Sequence, residues 1–563
     1  MFIRVKSSPN SPRKSVQIVE SVRDGDKVRQ KILRHVGVAN DKDELDRLLE
    51  LAEFIKAKIE DERHPTLFST EILAKVAIQG KKINSTEDSL VVDLKKLREQ
   101  QRVITGIHEA YGKIYQELQF DQLVKSDAKS KMLEHIVMAR IANPSSKRAS
   151  VQMLERDFGI ELDLHKVYRM MDSMDDDFVT NLQSMSYHAA NQIFGGKIDV
   201  IFFDATTLYF ESFTEDDLKK NGYSKDGKFN QPQVLLALMV TKEGLPIGYE
   251  AFPGSMYEGH TLLPMLEKIR QKYNLEKVVF VADSGLLNEE NLALLEDSGF
   301  EYIVGARLKN LKKALKTDVL DGEKYVDIGS LEDGAKVANL SYNEGQRLVV
   351  SYSPKRARKD RNDREEAIKK LRKKLEKSKN PESLVSNYGY KKYLKVEGNA
   401  EVKLNEDKLL DSAQWDGLHG VITNSKTLSE VEILQQYQGL WQIEEAFRVS
   451  KHDLKIRPIF HWTPARIRAH IAIAFMSLTC VKHLEYRVGL QHERCSAEKI
   501  RQELLHLQTS ILKDTSNGEH YALPSSASTL GRKIYQVLGL KYSQVPYKLE
   551  STLGRKRKAP ENL

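Results

Sequence analysis

The chain has 563 residues, 40% hydrophobic and 30% charged, and its 88 Lys and Arg exceed its 80 Asp and Glu for a net charge of +8. That length exceeds one ordinary domain, and the apolar content supports a buried core. No apolar run reads as long as the roughly 18 residues needed to span a bilayer, no secretory hydrophobic stretch opens the chain, and Cys480 and Cys495 alone can build neither a disulfide framework nor a zinc site. The expected setting is a reducing cytosol, with no membrane partner.

Residues 1–40 alternate apolar and polar positions around Pro- and Gly-containing turns, the pattern of a small three-stranded β unit. Residues 42–62 and 90–125 carry helical periodicity. Residues 128–192 read as all helical, with a stop at Asn143-Pro144 and Ser145 or Ser146 available to cap the next helix. Arg140, Lys147, Arg148, Lys166 and Arg169 cluster around that helical turn. They fit a DNA-docking region, or equally a linker with solvated charges.

From residue 197 the pattern changes to β-β-β-α-β-α-β, ending near residue 305. Two apolar runs, KIDVIFFDAT and VVFVAD, each read as a buried strand ending in an acid, Asp204 and Asp283. Residues 306–415 read as a mostly β insertion around a charged helical segment at 355–379. GLHGVITN then supplies a last strand, and Ser429 with Glu432 forms a capping box for a long helix. Residues 464–510 read as helical, and 515–563 as a basic, Pro-containing, disordered tail. The expected organisation is an N-terminal β unit (1–40), a helical region (41–192), a core in two parts (193–305 and 416–480) split by the insertion (306–415), and a C-terminal helical region and tail (481–563). The class is α/β.

The stretch YQGLWQIEEAFRVSK spaces Tyr437, Glu444 and Lys451 seven residues apart. On one continuous helix, steps of seven stay within about 20° of one face. That face offers a phenol, a carboxylate and an ammonium. Glu445 lies about 100° further round, which selects Glu444. Phosphodiester cleavage by two metals needs converging carboxylates, and Mg²⁺ prefers oxygen ligands. Asp204, Asp283 and Glu444 supply them, the two aspartates at the carboxyl ends of adjacent strands. A strand acid is costly to bury unless paired or metal-bound. Trp441 either packs or stacks on an unpaired base. Basic clusters at 355–379, 457–468 and 555–558 are the footprint of a phosphate backbone.

These residues resemble a DDE-type bacterial insertion-sequence transposase of the insertion-sequence-four-like group, whose signature is Tyr-x2-Arg-x3-Glu-x6-Lys. Tyr437, Glu444 and Lys451 match it at full spacing; Leu440 stands at the Arg position. Asp204, with Thr206 in an Asp-x-Thr setting, and Asp283 match the family's other two acids. The resemblance covers about residues 195–480. It implies an RNase H-like fold with a mostly β insertion, flanked by helical DNA-binding and C-terminal helical regions. It further implies two Mg²⁺ ions, replaceable by Mn²⁺, held by Asp204, Asp283 and Glu444. Tyr437 and Lys451 would position phosphates, with Arg448 or Arg457 standing in for the missing Arg. The reaction implied is cleavage at terminal inverted repeats and transfer of the released 3′ hydroxyl, by a homodimer in a synaptic complex with transposon ends and target DNA. The rival readings are another RNase H-like nuclease and an inactive DNA-binding derivative of a transposase.

Overall fold

The computed structural model describes residues 1–8, 11–24, 27–63, 92–211, 214–223, 230–262, 264–265, 278–285, 288–329, 333–377, 389–397 and 401–549. Strands β1 (Phe2–Ser8), β2 (Ser11–Asp24) and β3 (Lys27–Ala39) form a three-stranded antiparallel sheet. Helix α1 (Lys42–Arg63) packs on it. Leu48 lies so close over Gly37 that a Cβ there would stand 2.7 Å from it, so the sheet and helix meet through a residue without a side chain.

The helical periodicity expected over 90–125 holds only from residue 106. Leu97–Ile104 is strand β4, and helix α2 spans Gly106–Glu117. The override is tertiary: β4 pairs antiparallel with a strand about four hundred residues later, described below. Then come α3 (Asp127–Ala142), α4 (Lys147–Phe158), α5 (Leu164–Asp172) and α6 (Asp176–Ile193). The stop at Asn143-Pro144 is present, and the Ser146 side chain caps α4 by accepting from the Ala149 N–H at 3.2 Å.

The central sheet has nine strands. Its members are β5 (Val200–Tyr209), β6 (Gln233–Thr241), β7 (Pro246–Pro253), β8 (Val279–Ala282), β9 (Glu301–Ala306), β10 (Val326–Asp327), β11 (Lys336–Asn343), β12 (Gln346–Tyr352) and β15 (Leu418–Thr423), in the order β10-β11-β12-β15-β9-β8-β5-β6-β7. β5, β8 and β9 run parallel to one another; the remaining pairs are antiparallel. β5 and β6 read as nearly continuous apolar runs because both faces are covered. This mixed sheet, with helices packed on it, is the RNase H-like α/β class expected. The first helix of the expected β-β-β-α-β-α-β order, between β7 and β8, falls mostly outside the described residues.

The segment 306–415 differs from a mostly β insertion. It holds α8 (Lys313–Leu320), which follows α7 (Glu289–Asp297), then the 24-residue α9 (Pro354–Lys377), the hairpin β13 (Leu394–Glu397) with β14 (Glu401–Leu404), and α10 (Glu406–Ala413). Its strands β11 and β12 do not fold apart; they extend the central sheet. Apolar residues in α9 are sparse, and only Ala357 and Leu371 are buried, so its charges are mostly solvated as a helix of that composition requires.

The long helix expected through the signature is divided. α11 spans Glu430–Gln438 and α12 spans Trp441–Arg448, followed by a π-helical turn over Val449–Asp453. The Leu440, Gln442 and Ile443 N–H groups bond three residues back, a 3₁₀ tightening at the junction. Gly439 sits against Phe202 of β5, where a Cβ would stand 2.6 Å from the ring, so the chain presses closest to the sheet where it lacks a side chain.

α13 (Pro464–Gln491) crosses the expected boundary at residue 480. It is long and apolar enough to cross a membrane, contrary to the sequence reading, but 94% of its most apolar window is buried among other helices and β7. Its Phe475 ring lies 4.7 Å from Tyr249 of β7. α14 (Ala497–His506) follows. Through residue 549 the chain is folded rather than disordered, as β16 (Gln508–Asp514), β17 (His520–Pro524), α15 (Thr529–Val537) and β18 (Tyr547–Leu549), and the rest of the expected tail, 550–563, lies outside the described residues. β4 joins β16, β17 and β18 in one four-stranded sheet. Ile534, Tyr535 and Leu538 enter the same core cluster as Ile107 and Tyr111 of α2, which is what a basic, Pro-containing composition concealed.

Ile534→Ala tests that packing. Ile534 is fully buried, so the change is expected to cost about 2–5 kcal/mol, read as a lower thermal unfolding midpoint; an unchanged midpoint would mean the segment beyond residue 514 adds nothing to the core.

Candidate active site

The parallel ladder between β5 and β8 fixes the first two acids. Its register pairs Val200 with Val279 and ends at Phe203 with Ala282. Asp204 and Asp283 are the next residues on each side and therefore neighbours. Asp283 follows the end of its strand as expected. Asp204 does not: β5 runs on to Tyr209, held by its antiparallel pairing with β6, so Asp204 sits mid-strand. It is half-buried among buried neighbours. The Asp204 Oδ1 accepts from the Ala205 N–H and the Asp283 Oδ1 from the Gly285 N–H, each at 2.7 Å.

α11 carries Tyr437 to this edge. Its N-terminus has the expected capping box: Ser429 Oγ accepts from the Glu432 N–H at 3.3 Å, and Glu432 Oε2 accepts from the Ser429 N–H at 2.9 Å. Arg347 of β12 fastens the approach by donating to the carbonyls of Ser425 and Leu428. The Tyr437 hydroxyl then lies directly over Gly305 of β9, where any Cβ would collide with it. Burial, and next the Asp283 and Glu444 carboxylates, push the phenol up to about 12; Arg356 opposes them. Tyr437 therefore feels the charge of both the Asp283 and the Glu444 carboxylate. Glu444, on α12, is exposed.

Lys451 lies in the π-helical turn. Its ammonium donates to the Thr206 hydroxyl, two residues beyond Asp204. Tyr437 and Lys451 thus reach the β5–β8–β9 edge, although not from one continuous helix. Glu445 is turned away, and its carboxylate takes a bidentate ion pair from Arg448 at 2.7 Å. Arg448 also reaches Asp453 at 3.4 Å. The guanidinium expected to replace the family's Arg is therefore engaged elsewhere. Leu440 is buried in the core. Trp441 is 46% exposed, with the Arg494 guanidinium 5.9 Å from its ring.

Several neighbours carried no sequence signal because they are distant in the chain. Arg307, one residue past β9, donates to the Ser284 carbonyl beside Asp283 at 2.7 Å. His419 of β15 stacks on Tyr437 with ring centroids 5.0 Å apart. Burial, and then Arg356, push its imidazole down to about 4. Arg307, Lys309, Arg356 and His419 line a cleft of about 240 Å³ at this end of the sheet. No spacing rule joins an arginine from the first residues of α9 to a tyrosine eighty-one positions later.

The other expected DNA contacts divide. Arg148, Lys166 and Arg169 are exposed. Arg140 and Lys147 are not: both are buried, because the turn between α3 and α4 faces the loop after Asp453. Arg140 donates to the carbonyls of Leu454 and Lys455 at 2.9 and 3.3 Å. Arg457 stacks over Tyr209, 5.0 Å from its centroid.

Asp204 and Asp283 offer only oxygen donors, which suit a hard divalent cation. Among the described residues, no three His, Cys, Asp or Glu stand close enough together to hold a metal ion. The exposed Glu444 carboxylate does not join Asp204 and Asp283 in such a group.

Residues 195–480 match the family model described as transposase DDE domain, and residues 3–63 match that of the IS1634 family transposase N-terminal domain. No curated protein matches. Among solved structures, a piggyBac transposase synaptic complex with hairpin DNA shares 10% identity at a TM-score of 0.34, over 81% of this chain and 79% of that one. A Mos1 transposase paired-end complex with the left transposon end shares 11% at 0.14, over 47% and 78%.

The His419 imidazole gives a pH prediction. Its pKa falls from the ordinary 6.5 to about 4 in the fold, so as pH drops below 6.5 the unfolded chain takes up a proton that the native chain refuses. Stability is lost progressively toward pH 4. His419→Phe removes that contribution while keeping a ring against Tyr437. The loss of stability between pH 7 and pH 5 should shrink by on the order of 1–2 kcal/mol; equal losses in both proteins, followed by thermal unfolding, would remove His419 from the account.

Proposed function

The chain belongs to the transposase DDE domain family, and from that premise we propose that Asp204, Asp283 and Glu444 are the catalytic acids of an insertion-sequence transposase that cuts at its terminal inverted repeats and transfers the 3′ ends to target DNA. The family implies nuclease and transesterification activity in general, with divalent metal ions. The observation that carries the residue assignment is the register of β5 and β8, which makes Asp204 and Asp283 neighbours.

The oxygen donors fit a divalent cation such as Mg²⁺ or Mn²⁺, with Asp204 and Asp283 holding it and Glu444 completing the set. When bound, such ions supply Lewis-acid charge and acidify water. The chain's own residues bind and orient the DNA. Lys451 offers a compact positive charge to a phosphate oxygen, and Thr206 holds the ammonium beside Asp204 until DNA arrives. Tyr437 stays protonated at neutral pH, since its phenol is raised to about 12, and so serves as a hydrogen-bond donor. Arg307 and Arg356 lie along the cleft beside Tyr437 and supply the guanidinium that Leu440 cannot. Arg148, Lys166 and Arg169 form an exposed basic face for the flanking duplex. Joining two ends requires two active sites, so a homodimer in a synaptic complex, acting on nucleoid DNA in the cytoplasm, is the expected assembly.

With Mg²⁺ and DNA carrying the element's own inverted repeats, end-specific nicking is expected. Asp204→Ala, Asp283→Ala and Glu444→Ala should each lower it on the order of 10²–10³-fold or more while DNA binding persists; nicking that survives all three changes would overturn the assignment. A second prediction concerns Tyr437. Gly305→Ala pushes against its hydroxyl, and a displacement of about 1 Å costs on the order of 10²-fold in rate. In the Tyr437→Phe background the same change should cost less, because the colliding oxygen is gone and only the Ser284 backbone N at 3.1 Å and the ring carbon at 3.3 Å still press on the new Cβ. Additive losses in the double variant would mean Gly305 acts by another route.

A further inference from the structure

Between α3, α4 and the loop after Asp453 lies a cavity of about 120 Å³. Its lining includes Arg140, Lys147, Lys455 and Arg457, two histidines, His461 and His470, and no carboxylate. Lys147 is 4% exposed, yet its ammonium makes no hydrogen bond or ion pair among the described residues. Arg140 is fully engaged on one side, through Leu454, Lys455 and the His470 Nδ1 at 3.4 Å, but its Nε–H is buried without a partner. The nearest acid acting on His461, Asp172, is already held in a bidentate pair by Arg466 at 2.7 and 2.8 Å. The N-terminus of α4 also opens here, through Ser146 and Lys147; helix N-termini favour anions.

A buried cation without a partner is strongly disfavoured, and here the Lys147 ammonium lies beside a second buried cation, Arg140, whose Nε–H is also unmatched. Burial and Arg140 hold the Lys147 ammonium well below its ordinary range. Burial, followed by Lys147, Arg140 and Arg466, pushes the His461 imidazole down to about 4. An anion in the cavity reverses each of these penalties. We propose that this cavity binds one phosphate group, with Lys147 as its principal ligand and Arg140, Arg457 and the α4 N-terminus around it. The site adjoins the catalytic edge: Arg457 stacks on Tyr209, the last residue of the strand that carries Asp204. Its occupant is thus a phosphate of the bound DNA or a free phosphate ion; the first case rests on the function proposed above, the second does not.

The test uses the full chain with a chelator present, so that no cutting occurs. Inorganic phosphate, compared with chloride at equal ionic strength, should raise the unfolding midpoint of the wild type and of Lys147→Arg. Lys147→Met should be at least as stable in chloride, since it removes a buried unpaired charge, and should bind phosphate at least tenfold more weakly. No shift in the wild type, or an equal shift in Lys147→Met, would overturn the site. A duplex bearing the inverted repeat is then added and bound phosphate followed by ³¹P resonance. Displacement in the wild type identifies backbone phosphate as the occupant; simultaneous binding of both identifies the free ion, and either supports the site. Failure to bind any duplex would count against the transposase reading alone, leaving the phosphate result intact.

Discussion

The arrangement of Asp204 and Asp283 at the candidate site depends on the register of the short parallel ladder between β5 and β8. Four residue pairs hold it, from Val200 with Val279 to Phe203 with Ala282. Side chains alternate along a strand, so a slip of one residue would turn one aspartate to the opposite face. Buried apolar faces on both sides pin that register. Phe203 and Ala282 pack in one core layer and Phe202 and Val281 in the other. The acids therefore inherit their positions from the packing of residues that never touch a substrate.

Around that fixed pair the remaining groups come from the other side of the sheet edge. Gly305 leaves room for the Tyr437 hydroxyl, and Gly439 lets the signature segment press on Phe202. The 3₁₀ tightening before α12 and the π-helical widening after it adjust the phase of Glu444 and Lys451. A π-turn inside a helix costs regularity and is commonly found at functional sites. Here it carries the lysine that bonds Thr206.

Much of this was legible in the chain. The apolar runs ending at Asp204 and Asp283 marked buried strands, and helical phase separated Glu444 from Glu445, which is indeed turned away and paired with Arg448. Local patterns failed where a distant partner decided the outcome. Leu97–Ile104 is a strand because Gln508–Asp514 lies beside it. The continuous helix expected from the heptad is divided because Gly439 meets the sheet. Arg140 and Lys147 looked like surface charges because a sequence records that a residue is basic, not which way its turn faces. Arg307, Arg356 and His419 reach the site by the fold of strands and helices that no spacing connects.

The pairing of β4 with β16 has a consequence for how the chain comes into being. About four hundred residues separate the two strands, and contacts so remote in sequence form slowly, after a large entropic cost of loop closure. During synthesis, β4 leaves the ribosome long before β16, the strand it pairs with, exists, so the edge that β16 will cover starts unmatched. The last strands also cover part of the core that α2 begins. Completion of this sheet thus waits on residues near the other end of the fold, and until they are made the edge of β4 that β16 covers is open to other chains.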